Sequence, residues 1–253
     1  MSDLLQFTDQ VVLITGGATG IGRAGALAFA RQGATVVVGD VDERAAETIA
    51  LIEAEGGRGL FVKTDVSVGD SVRELVDRTT AAFGRLDAAW NNAGVLPATK
   101  PLHEMTEAEW EHVVSVDLKG VFLSLKYEIA YMVDNGGGSI INTASVAGVI
   151  GDPGMAPYVA AKHGVIGLTR AAAVDYGRSG VRVNAIAPGL VETRMTERWL
   201  ADAATRDIMF AGVQMGRAAA PEEITGVVLF LASNLASFAT GGVFTVDGGQ
   251  TAH

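Results

Sequence analysis

The chain contains no cysteine, so it has neither a disulfide framework nor a thiolate metal site. Basic residues are few. Nineteen Lys and Arg stand against 29 Asp and Glu, and the net charge of −10 argues against broad binding to nucleic acid or an anionic membrane. No apolar run approaches the ~20 residues of a membrane span. The opening Met1-Ser2-Asp3-Leu4-Leu5-Gln6 lacks the basic region and apolar core of a secretory signal, so a cytoplasmic protein is expected. There is no internal repeat, no low-complexity tract and no Pro/Gly/Ser linker. Residues 1–253 therefore read as one domain, a length at which a single core buries most of its apolar surface.

What the chain does have is apolar residues, 49% of the total, and 32 glycines without a three-residue period. Collagen is excluded, and the glycines must serve turns and close backbone approaches. Short β-branched runs at Val11–Thr15, Thr35–Gly39, Gly59–Lys63, Leu86–Trp90, Ser139–Thr143, Val181–Ala187 and Val243–Val246 predict strands. Between them, helical patterns fall near 20–32, 42–55, 67–83, 105–133, 157–178 and 221–233. A run such as Val11-Val12-Leu13-Ile14 implies burial on both faces, as in a parallel sheet covered by helices. The predicted class is α/β: a doubly wound, Rossmann-type parallel sheet of about seven strands.

After the first strand comes Thr15-Gly16-Gly17-Ala18-Thr19-Gly20-Ile21-Gly22, running into a helical segment. Glycines at such a turn let the backbone approach a pyrophosphate, and the free N–H groups of the helix start bind it. Gly20 to Gly25 also satisfies G-x-G-x-x-G, a weak signal alone. A P-loop is excluded because Arg23-Ala24 follow where Lys and Ser/Thr are required. Asp40 closes the second strand 18 residues after Gly22, where a carboxylate accepts from adenosine ribose hydroxyls and repels a 2′-phosphate. Neither Gly17 nor Val41 is basic, so NAD is the expected cofactor, with no arginine to compensate. A solvated aspartate at a strand end is the plainer alternative.

These features, with others further on, resemble the short-chain dehydrogenases/reductases nearly end to end. Gly16, Thr19, Gly20, Ile21 and Gly22 resemble that family's cofactor loop, and Asn91-Asn92-Ala93-Gly94 its NNAG element. Ser145, with Tyr158 13 positions later and Lys162 four further on, matches its serine and Tyr-x-x-x-Lys. Pro188-Gly189, Val191 and Thr193 resemble its nicotinamide segment, and Val246-Asp247-Gly248-Gly249 its closing motif. The resemblance implies that Asn92, Ala93 and Gly94 flank the cofactor and that Asp65-Val66 meet its adenine; ordinary polarity at a strand end also explains Asp65. It implies a homotetramer too. The helix from Pro157 carries Ala160, Ala161, Gly164, Gly167, Ala171 and Ala172, small on more than one face, which lets a partner helix approach.

Tyr158 and Lys162 are i and i+4 on one helix and share a face. A neighbouring ammonium and the positive nicotinamide ring favour the phenolate, so the tyrosine, ordinarily near pKa ~10, is expected to be lowered and to act as base. By the resemblance, Ser145 holds the substrate oxygen and Lys162 also grips the ribose. One departure stands out: Asp117 occupies the place of a catalytic Asn whose main-chain carbonyl anchors a water beside the lysine. An Asp keeps that carbonyl and loses the amide donor.

The four histidines (103, 112, 163 and 253) show no ligand spacing, and neither G-x-S-x-G nor H-E-x-x-H occurs. Substrate choice is expected in 146–157 and in a lid around 190–217, rich in Met195, Trp199, Ile208, Met209, Phe210 and Met215. The same residues suit an amphipathic helix packed on the core. Arg194, Arg198 and Arg206 are expected on a solvated face. The expected activity is hydride transfer between NAD and a secondary alcohol or ketone, apolar or cyclic. The alternatives are an NADPH-dependent 3-oxoacyl-carrier-protein reductase, disfavoured by Asp40 and the acidic balance, and a non-catalytic nucleotide sensor or scaffold, disfavoured by the intact Ser145, Tyr158 and Lys162.

Overall fold

The computed structural model describes residues 5–252; Met1 to Leu4 and His253 lie outside the described residues. Seven strands, β1 (Val11–Thr15), β2 (Thr35–Asp40), β3 (Arg58–Lys63), β4 (Ala88–Asn91), β5 (Gly138–Thr143), β6 (Val181–Pro188) and β7 (Val243–Val246), form one parallel sheet ordered β3-β2-β1-β4-β5-β6-β7. The predicted strands are all present, displaced by at most two residues at an end.

The continuous apolar runs are explained by two cores, one on each face. Val12, Ile14, Val36 and Val38 point to the side covered by α1 (Gly20–Arg31), α2 (Ala45–Ala54) and α9 (Pro221–Ala232). Val11, Leu13, Val37 and Val62 point to the side covered by α3 (Gly69–Phe83), α5 (Gly120–Asp134) and α6 (Ala156–Tyr176). Helix α1 sits so close to the sheet that a Cβ at Gly25 would lie 2.0 Å from a ring carbon of Trp90. A side chain there would force the helix away from β4.

One expectation needs correction. The helix predicted over 105–133 is α4 (Glu107–Val114) and α5 joined by a π-turn over Ser115–Lys119. The extra residue per turn has no counterpart in an apolar period, and such turns mark functional positions. Residues 190–217 form two short helices, α7 (Glu197–Ala201) and α8 (Ala203–Ala211), hung from a neck where Val191 pairs with Ala219. Strand order reverses between β1 and β4, and the crevice beyond their carboxyl ends is where an open α/β sheet takes its ligand.

Candidate active site

A cleft of about 1220 Å³ opens at that switch point. One end is built by the β1–α1 turn. Gly16 takes φ +72, and a Cβ on it would lie 2.7 Å from Ala93 Cα, so the turn and the loop after β4 touch through backbone alone. Thr15 Oγ1 accepts from the Asn92 and Ala93 amides at 3.0 and 3.2 Å, and Asn92 Nδ2 donates to Gly16 O at 3.2 Å. Helix α1 starts with no acidic side chain in its first turn and no side-chain cap from Thr19. Its first N–H groups are therefore left for an anion. Asp40 is held rigid, its carboxylate accepting from the Ala18 and Asp42 amides at 2.9 Å each.

At the other end, Tyr158 and Lys162 leave α6 on one face, with Lys162 Nζ 5.3 Å from the tyrosine ring centre. The Lys162 side chain is 3% exposed; its Nζ donates to Thr143 O at 3.0 Å and lies 3.4 Å from Asp117 Oδ2. An ammonium has three protons and Thr143 O takes one, so N–H donors remain for a ligand in the cleft. Ser145, just past β5, stands close enough to the phenol to favour its ionised form.

Burial alone would lower the Lys162 ammonium, but Asp117 and Tyr158 outweigh it and hold it above its ordinary value. Burial pushes the Tyr158 phenol up; Lys162 pulls it down, and Asp117 pushes it up again. The protein by itself holds Tyr158 as the neutral acid, because burial first and Asp117 second outweigh Lys162; the lowering expected from sequence also counted the positive nicotinamide ring.

Residues 16–251 match the family model described as enoyl-(acyl carrier protein) reductase. The chain belongs to the short-chain dehydrogenase/reductase family. A cis-4-hydroxycyclohexanecarboxylate dehydrogenase from Sinomonas cyclohexanicum is 45% identical over 246 residues, 97% of this chain and 98% of that one. A 2,5-dichloro-2,5-cyclohexadiene-1,4-diol dehydrogenase from Sphingobium indicum is 42% identical over 254 residues, the whole of both chains. A crystal structure of levodione reductase superposes with a TM-score of 0.94 at 41% identity, covering 98% of this chain and 99% of that one. This short-chain dehydrogenase/reductase is thus an oxidoreductase, and its family uses a nicotinamide cofactor. The residues present fit such a group: the uncapped start of α1 suits a pyrophosphate, and the rigid Asp40 suits a ribose.

All but one of the residues named from sequence for the cofactor line the cleft, and so does Ser145. Gly22 is the exception. A Cβ there would lie 2.1 Å from Gly16 O, so this glycine is needed for packing within the turn. Asp117 does not line the cleft either; it is fully buried, with its carboxylate facing Lys162. The reading that no arginine stands near Asp40 is corrected too. Arg44 lies within electrostatic reach of Asp40, but it is clasped by Asp42 and does not line the cleft.

Leu96 and His112, which sequence reasoning did not single out for the site, also line the cleft, as do Asp152 and Met155 from the segment 146–157 where substrate choice was expected. The four come from three separate segments, and nothing in local spacing links these. Arg198, expected to be solvated, donates to Pro97 O at 3.2 Å and stacks on Trp199, tying α7 to the loop after β4. Among the described residues no helix is long and apolar enough to cross a membrane.

Proposed function

We propose that the protein interconverts a ring-borne secondary alcohol and its ketone, with NAD preferred as the cofactor. The observation that carries this is the Tyr158–Lys162 pair, with Ser145, facing an apolar-walled cleft that continues to the uncapped start of α1. The nicotinamide, when bound, takes up or gives back the hydride. Ser145 orients the substrate oxygen; Tyr158 gives a proton to that oxygen in reduction and takes it back in oxidation. Lys162 keeps a positive charge beside the phenol and offers a remaining N–H to the ribose.

Asp117 stands behind Lys162, and the pairs Asp65-Val66 and Asn92-Ala93 flank the cofactor. Pro188, Gly189, Val191 and Thr193 form the wall of the nicotinamide end. Residues 190–217 act as a lid, hinged at the Val191–Ala219 bridge, with Met195, Trp199 and Met209 turned to the cleft. Such adaptable apolar side chains suit a ring. The relatives named for hydroxycyclohexanecarboxylate and cyclohexadienediol support a six-membered ring with a second polar group across it. The chain assembles as a homotetramer through α5 and α6; the exposed Phe122 and Val174 on these helices support that reading.

A panel of cyclic and acyclic secondary alcohols with NAD and NADP, followed by nicotinamide absorbance, tests this reading. Cyclohexanols should be turned over in preference to open-chain alcohols, and indifference to the ring would refute the substrate class. Turnover of 3-oxoacyl thioesters with NADPH alone would favour the alternative reductase.

Asp40 carries the cofactor preference. A 2′-phosphate would meet its carboxylate, and like charges this close cost ~1 kcal/mol or more even in high dielectric. In Asp40→Ala the NAD-to-NADP ratio of kcat/KM should fall roughly fivefold or more. The ratio cancels general damage to the loop, so an unchanged ratio would remove Asp40 as discriminator.

A further inference from the structure

We propose that Asp117 is a positioning residue whose carboxylate anchors Lys162 as an ion pair and thereby governs the pH range in which Tyr158 works. This rests on the proposed roles of Tyr158 and Lys162. Asp117 is 0% exposed, carried inward by the π-turn. Oδ1 accepts from the Val95 amide at 2.8 Å, which fixes the carboxylate plane. Oδ2 is left 3.4 Å from Lys162 Nζ, a charge contact, and among the described residues it has no hydrogen-bond partner. A Cβ at Gly94 would lie 3.3 Å from Asp117 Oδ2 and 3.5 Å from Lys162 Nζ, so the loop after β4 closes down on the pair itself.

A carboxylate sealed from water with an oxygen unbonded is costly unless a cation faces it, and Lys162 is that cation. Burial lifts Asp117 above the usual carboxylate range, and Lys162, the Val95 amide and His112 oppose the rise. The charged and titratable groups that face the pair are Tyr158 on α6 and His112 on α4, with Asp152 acting on Tyr158 from the loop before α6. An anionic Asp117 works against Lys162 at the phenol and delays its ionisation to higher pH.

Asp117→Asn keeps the shape and an oxygen for Val95 while removing the charge. The rise of kcat/KM for alcohol oxidation should then move to lower pH by about one unit, the low end of what a nearby charge achieves. Asp117→Ser, neutral and smaller, should shift it the same way. A purely structural Asp117 would lower kcat or stability and leave the profile in place, and that result in either folded variant overturns the proposal. Should neither variant fold, the tyrosinate absorbance lost between wild type and Tyr158→Phe, titrated without cofactor, decides. Ionisation at or below the ordinary tyrosine range refutes the proposal, since burial and Asp117 both push the phenol up. Tyr158→Phe assayed alongside separates the two failures, since full activity in that variant would sink the catalytic reading itself.

Discussion

Tyr158→Phe should lower kcat by about 10² or more while the affinity for nicotinamide cofactor persists. The magnitude is what a positioned general acid–base supplies. The ring would keep its packing on α6, and Lys162 would keep Thr143 O and Asp117, so the cofactor wall is undisturbed. What is lost is the oxygen to which the proposed mechanism assigns the proton transfer at the substrate. Ser145 cannot substitute, because a hydroxyl ionises far above working pH and its Oγ already accepts from the Ala147 amide at 3.1 Å. Steady-state kinetics with cofactor titration by fluorescence would check both halves. A near wild-type rate in this variant would overturn the mechanism.

Glu128→Gln should stabilise the protein at pH 8 by up to about 3 kcal/mol and hardly at all at pH 4. Glu128 points from α5 into the space under β4 and β5, 1% exposed. Its Oε2 accepts from Asn91 Nδ2 at 3.0 Å, and the same Nδ2 donates to Asn142 Oδ1, which belongs to a network reaching Thr169. Burial raises the carboxyl from 4.5 to about 7, and the Asn91 hydrogen bond offsets only part of that. The unfolded chain releases this proton near 4.5 while the folded protein holds it to about 7. The folded state is thus the one with more bound protons, and stability falls as pH rises through that window, then levels off. A glutamine carries no charge to desolvate and escapes the fall. Urea midpoints at the two pH values would show it; an equal difference at both would mean that Glu128 is not the titrating group.

The strands were readable because each is buried on both faces, which leaves a nearly unbroken apolar run such as Val11–Ile14. The catalytic candidates were readable because their spacing on one helix dictates a shared face. Asp117 was placed by position alone, and the direction of its side chain followed from a π-turn that periodicity does not reveal. Glu128 looked like any glutamate on an amphipathic helix, since a single buried carboxylate leaves the apolar pattern almost unchanged. Gly22 fitted a ligand motif, yet its constraint is Gly16 O, a contact between residues six apart that only the folded turn brings together. Arg44 was missed beside Asp40 because it lies on the far side of the β2–α2 turn, where Asp42 draws it in.

Hydride transfer itself is the central claim, and isotope transfer tests it most directly. Cyclohexanol deuterated at its carbinol carbon, incubated with the wild-type protein and oxidised NAD, should yield ketone and reduced NAD carrying the deuterium, seen by mass spectrometry as one added mass unit. Ketone formed alongside unlabelled reduced cofactor, with the deuterium lost to water, would contradict the account.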